Sequence, residues 1–232
     1  MVIREASHSL LHLFYPHVCA GCGTDVLSRE QLLCIACLHR LPVSSFHSFA
    51  GNPIEKIFRG RLPIRSAASY LYFTKDSLLQ HLLHQFKYRG KKQIGLFFGN
   101  RIAEALLQSD RFSTIDALVP LPLFPGRERR RGFNQARILC EGITGQWRLP
   151  VLQQVITRPS PTETQTHKNR IQRWQNIAGR FVLNDAAAIS GKHILLVDDV
   201  ITTGATLEAC GQELLKAPGV QLSIATMAFT AR

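Results

Sequence analysis

No stretch of roughly 18 uninterrupted apolar residues occurs in this chain, so a membrane-spanning helix is not expected. The amino-terminal apolar stretch, Leu10–Tyr15, is short and is broken by His12, and no small-residue cleavage site follows it, which argues against a secretory signal. The expected location is therefore the cytoplasm. Internal repeats and low-complexity tracts are missing, which sets aside repeat architectures. The nucleotide-binding string GxxxxGK[ST] is also missing, and no Lys follows Gly204, so a P-loop is excluded. Acidic residues are scarce: 16 Asp and Glu stand against 28 Lys and Arg, for a net charge of +12.

Much of the basic excess is concentrated. Arg127, Arg129, Arg130, Arg131 and Arg137 crowd one stretch. Arg158, Lys168, Arg170, Arg173 and Arg180 crowd another, in which Glu163 is the only acid. Such clusters attract phosphate-rich partners, whether nucleic acid or a phosphorylated metabolite, and can equally form a solvated basic surface.

The chain divides into three zones: 1–45, 46–65 and 66–232. The first holds four of the six cysteines and little strand pattern. Around it, from Pro42 to Pro63, Pro, Gly, Ser and Phe accumulate as in a connector. From about Ser66 the pattern becomes α/β. Ala67–Phe73, Ala117–Leu123, Leu152–Thr157, Lys192–Val197 and Ser223–Phe229 read as strands, Lys192–Val197 being a continuous apolar run of the buried parallel type. Ser77–Tyr88, Gly95–Leu107, Gly132–Thr144 and Ala205–Leu215 read as helices from their apolar spacing. Alternation of the two predicts βαβ units and a parallel sheet.

Cys19 and Cys22 form CAGC, and Cys34 and Cys37 form CIAC. Each knuckle points two thiolates at one metal, and four complete a tetrahedron, so the pattern predicts a structural Zn²⁺ site in a compact module. A redox pair and disulfides are the competing readings; two disulfides are improbable in a reducing compartment. Cys140 and Cys210 lie on apolar helix faces and read as core fillers.

The sharpest feature is Ile194–Leu207, ILLVDDVITTGATL. An apolar strand ends in Asp198 and Asp199, and a loop of Thr202, Thr203, Gly204, Ala205 and Thr206 leads into a helix. Ligands of open α/β sheets bind at the carboxyl ends of strands. The helix start offers unpaired N–H groups and a favourable dipole for phosphate, the threonines add hydroxyl donors, and Gly204 permits close backbone approach. The carboxylates suit vicinal sugar hydroxyls, or help hold a divalent cation through water. A short piece of this string is also what any N-capped helix beside a surface Asp pair would show. The full string resembles the signature of the type I phosphoribosyltransferases. That resemblance implies Asp198 and Asp199 on the ribose, Thr202–Thr206 around the 5′-phosphate, and Mg²⁺ bridging the diphosphate of phosphoribosyl diphosphate.

Phe86–Gly90, FKYRG; Val119–Ala136, VPLPLFPGRERRRGFNQA; and Arg158, Thr162, Gln165, Thr166, Arg170, Arg173, Asn176 and Phe181 narrow the family. With LLHLFYPHVCAGCG at the front, the chain resembles the ComF family of competence-related, phosphoribosyltransferase-like proteins over nearly its whole length. The resemblance implies a Rossmann-like α/β core, a zinc-ribbon-like module ahead of it, and a cytosolic role in DNA uptake with incoming single-stranded DNA, a helicase and a strand-loading protein. Lys87, Arg89 and Arg131 would supply cations for the diphosphate; Lys87 and Arg89 are alternatively end-caps of their helix, favoured by its dipole. Asn134 and Gln135 read as site ligands or as helix-start residues. Arg158–Gly179 lies where the related transferases have a flap, and Trp174 within it is a base-stacking or a packed residue. Two functions follow. One is an enzyme transferring a phosphoribosyl group, with Asp198 and Asp199 steadying the ribose as charge develops on it. The other is a nucleotide sensor or single-stranded-DNA-binding module. No general base for an acceptor stands out.

Overall fold

The computed structural model describes residues 17–25, 27, 31–159 and 181–230. The amino-terminal segment around Leu10–Tyr15, and the expected flap beyond Pro159 with Trp174, lie outside the described residues. In chain order the elements are α1 (Ile35–His39), α2 (Pro53–Phe58), β1 (Ser66–Phe73), α3 (Leu78–Tyr88), α4 (Lys92–Leu107), β2 (Ala117–Pro120), α5 (Pro125–Arg131), α6 (Gln135–Thr144), β3 (Ile156–Thr157), β4 (Val182–Leu183), β5 (His193–Ile201), α7 (Ala205–Leu214) and β6 (Gln221–Thr230).

The sheet is the one the alternation of strands and helices predicts. Its order is β1-β6-β5-β2, and every pairing is parallel. β5 and β6 are central and almost wholly buried, which is why both read as near-continuous apolar runs. With all strands parallel, their carboxyl ends share one edge, and the functional segments collect there. Each outer strand is covered by irregular chain. Val43 bridges Leu71 of β1, and Val151 bridges Leu118 of β2, so part of each edge is taken up within the chain.

Helices α4 and α6 pack on each other and on the sheet. Their crossing is set by glycine on both sides. A Cβ on Gly99 would collide with Leu139 O and lie 2.7 Å from Gly142 Cα, and one on Gly142 would collide with Leu96 O. The backbones therefore touch directly, closer than any side chain would allow. Phe86, Phe98 and Phe112 are fully buried beside them.

Several boundaries differ from those the sequence suggests. β5 continues through Asp198 and Asp199 to Ile201, because Asp198 still pairs with Thr226 and Ile201 with Phe229. Helix α6 starts at Gln135 rather than near Gly132, since Asn134 is its N-cap. The basic stretch after β2 is a helix, α5, with Pro125 in its first turn and Gly132 in the left-handed conformation at its end. Of Leu152–Thr157, only Ile156–Thr157 forms a strand, paired antiparallel with β4. The stretch 46–65 contains α2. There Asn52 accepts from the N–H groups of Ile54 and Glu55 and donates to the carbonyls of Phe46 and Ala67 at 2.9 and 2.8 Å. This buried side chain caps the helix and staples it to β1.

Candidate functional site

The loop after β5 is built from both sides. Gly204 has φ +73°, which L side chains rarely adopt, and a Cβ there would lie 2.6 Å from Ile57 Cγ2 and 3.1 Å from Phe58 Cε1. The turn is therefore seated directly on α2. Arg61, just past α2, donates to the carbonyls of Ile57 at 3.1 Å and Thr203 at 3.2 Å, and pairs with Glu208 on α7. These contacts leave Thr202 and Thr203 exposed, with Ala205 and Thr206 half-buried at the start of α7. Asp198, Val200 and Thr202–Leu207 line a small open cavity of about 50 Å³. The first N–H groups of α7 lack intrahelical partners by construction, so the cavity offers donors and a positive dipole end.

The two carboxylates differ. Asp199 is buried, and its Oδ2 lies 2.8 Å from Lys87 Nζ at the last turn of α3. Asp198 is half-buried and accepts from the Asp199 N–H at 2.8 Å. Burial and then the neighbouring Asp199 charge push the Asp198 carboxyl up to about 8, against weaker pulls from that N–H, Lys87 and Arg158. A carboxyl raised in this way can carry a proton and donate it to a hydroxyl.

Of the expected diphosphate cations, Lys87 is brought to the carboxylates. Arg131 lies 5.6 Å over the ring of exposed Tyr88, next to Lys87 in α3, and bonds Gln135 Oε1 at 2.7 Å. Its Nε is buried without an acceptor among the described residues. Arg89 is exposed at the C-cap of α3, its backbone N–H on the Gln85 carbonyl. Asn134 and Gln135 are held by local bonds. Asn134 caps α6 through Ala136 N–H and donates to Leu121 O at 3.0 Å, fixing the loop after β2. Arg158 is buried against Phe124 and Phe181, at 3.9 and 5.1 Å from their centroids.

The four cysteines of the amino-terminal knuckles converge, with sulfurs all within 4.8 Å of one another and Cys22 and Cys34 Sγ 3.7 Å apart. A tetrahedron with metal–sulfur bonds of about 2.3 Å has edges of about 3.8 Å, so the donor set fits one metal ion. Gly21 and Cys34 N–H groups point at Cys19 Sγ at 3.4 and 3.3 Å. Burial pushes the Cys19 thiol up, but backbone N–H groups outweigh it and hold it down at about 6, as a ligating thiolate requires. Cys140 and Cys210 are fully buried and do not belong to this cluster, and burial drives both thiols up.

Sequence reasoning missed Arg61, Glu208 and Gln85. Arg61 meets Thr203 across 142 positions and Gln85 meets Ala20 across 65, and neither pairing leaves a local signal.

Comparison with known proteins adds to this geometry. A phosphoribosyl transferase domain model matches residues 129–232. The chain is 33% identical over 202 residues to DNA utilization protein YhgH of Salmonella typhimurium, covering 86% of this chain and 84% of that protein. It is 31% identical over 210 residues to Competence protein ComFC of Bacillus subtilis, covering 82% and 81%. Among solved structures it is similar to a glutamine phosphoribosylpyrophosphate amidotransferase from B. subtilis, with TM-score 0.41 and 14% identity over 61% of this chain and 30% of that one. Among the described residues no helix is long and apolar enough to cross a membrane.

Proposed function

Because the chain belongs to the ComF family of phosphoribosyltransferase-like proteins, we propose that Asp198–Thr206 bind phosphoribosyl diphosphate or a related ribose phosphate. The carrying observation is the cavity at the end of β5, where Asp198, three threonines and the start of α7 converge, with Asp199 next in the strand. In this reading Thr202, Thr203, Gly204, Ala205 and Thr206 surround the 5′-phosphate, which suits the helix start. Asp198 and Asp199 take the vicinal ribose hydroxyls. Lys87 stands beside them to meet the diphosphate, and Arg131, whose buried Nε has no acceptor among the described residues, would supply a further donor to the same charge. Arg89 extends this cationic rim. Mg²⁺ bound with the donor would neutralise diphosphate charge. In the four-cysteine module the fitting ion is Zn²⁺, with a structural role, since four sulfurs leave no open position.

The relatives' names link the family to competence and DNA use, and we carry that role, in the cytoplasm, to this chain. A second reading has its own observation. Helix α5 buries none of its residues and exposes Arg127, Arg129 and Arg130, a stripe suited to the backbone of a single strand. The pocket and the stripe are compatible in one protein.

Isothermal titration with phosphoribosyl diphosphate and Mg²⁺ tests the first reading. Saturable heat is expected from wild type, and its loss from Asp198→Asn/Asp199→Asn. Silence from wild type, where a known transferase responds, overturns it. Single-strand affinity that does not fall as salt rises overturns the second.

A further inference from the structure

The cysteine module and the carboxylate pair are joined through one short piece of helix. Gln85, in the last turns of α3, is buried, and its Nε2 donates to Ala20 O at 2.7 Å, inside the first cysteine knuckle. Ala20 and the flanking Cys19 are buried as well. The knuckle also rests on the opposite end of the same helix: a Cβ on Gly21 would lie 2.8 Å from Leu78 Cδ1 and 2.8 Å from Cys37 Sγ. Two residues after Gln85, Lys87 Nζ reaches Asp199 Oδ2. The Gln85 carbonyl meanwhile accepts the Arg89 N–H at 3.0 Å and closes the helix end. One residue thus bonds the metal-ligand turn with its side chain and the terminal turn of α3 with its backbone.

We propose that Gln85 is a positioning residue, which locks the end of α3 to the cysteine knuckle and thereby aims Lys87 at Asp199. Helices packed on one another can still slide by small amounts in shear. A buried, directional amide bond removes that freedom, because leaving either partner without its mate is costly. Lys87 is a flexible cation, so where its ammonium rests depends on where its backbone is held. Ala20 is held in turn by its own N–H on Leu32 O at 3.0 Å, in a knuckle closed by the Cys19 N–H on Thr24 O at 2.8 Å. The cysteine module and charge placement in the ribose-phosphate cavity are therefore coupled through Gln85. The ligand-binding arm of this inference rests on the phosphoribosyl reading above; the Lys87–Asp199 arm does not.

The test is a double-mutant cycle on the full chain with its metal: Gln85→Met, which keeps length and volume but removes the donor, Lys87→Met, and both together. Gln85→Met is expected to retain wild-type metal content and to lose roughly five- to tenfold in affinity for phosphoribosyl diphosphate with Mg²⁺. Lys87→Met should lose at least as much, and the double variant no more than Lys87→Met alone. Losses that add, as a merely structural defect would give, overturn the proposal, as does wild-type affinity in Gln85→Met. If wild type binds no donor, the phosphoribosyl reading fails, and the inference is judged in the free protein. There the Lys87 ammonium resonance, assigned by its loss in Lys87→Met, should be protected in wild type and exchange-broadened in Gln85→Met. An unchanged resonance overturns it. Should Gln85→Met not fold, Gln85→Glu is read by the same cycle.

Discussion

Replacing Asp198 by Asn should stabilise the ligand-free protein, and by an amount that grows with pH. The wild-type carboxyl is raised from 3.8 to about 8 in the fold, first by burial and then by Asp199. Between those values the folded chain keeps a proton that the unfolded chain has released. Stability then falls as pH rises through that window, is fully reduced above about 8, and is unaffected below about 4. At about 1.4 kcal/mol per unit, the whole displacement sets a ceiling of about 6 kcal/mol. Relaxation and the effective dielectric at a half-buried site cut this to about 2 kcal/mol. Asn has nearly the same shape, keeps an oxygen to accept the Asp199 N–H, and carries no charge to desolvate. In a chain of this size about 2 kcal/mol corresponds to roughly 4–8 °C in Tm. The assay is thermal melting of both proteins without nucleotide or Mg²⁺ at pH 4.5, 6.5 and 8.5. Near-parity at pH 4.5 and an advantage for the variant widening to pH 8.5 are expected. Equal Tm at all three values, or a variant less stable at pH 8.5, refutes the reasoning. The same change should weaken ribose-phosphate binding, so that the stability cost of Asp198 is a cost of the site.

Two other outcomes follow from packing and ligation. Gly142→Ala drives a methyl into the Leu96 carbonyl and Gly99, and chemical denaturation should show a loss of about 3 kcal/mol; a loss under about 1 kcal/mol would mean that the helices part easily. Protein purified without chelator should carry one zinc per chain by atomic emission, and Cys37→Ser, which removes a buried ligand, should carry little; stoichiometric metal in the variant would show that the cysteines are not its ligands.

Much of this was legible from local pattern. β5 announces itself because it is buried on both faces, and the loop after it because glycine, threonine and paired aspartate have few other reasons to stand together. The cysteine pairs are legible because ligation fixes their spacing. What failed did so for physical reasons. Helix α5 buries no residue, so it has no apolar face to detect, and proline opens helices as readily as it marks loops. β3 and β4 have two residues each, too few for any period. The apolar run that marks the strand stops at Val197, yet the strand runs on to Ile201, with Asp199 buried against Lys87. Arg61 and Gln85 act through pairings that only the folded chain creates.

The strand order carries a consequence for biosynthesis. β6, the last element in chain order, is not at the margin of the sheet but between β1 and β5. When a ribosome has released everything through α7, β1 has still met no strand partner, and β5 can pair only with β2. The parallel contacts of Ser66–Phe73 must wait for a segment more than a hundred positions downstream. Nascent chains of this kind remain open until β6 has been made. A premature stop before Gln221 would therefore remove the middle of the sheet, leaving two parts of it with nothing between them.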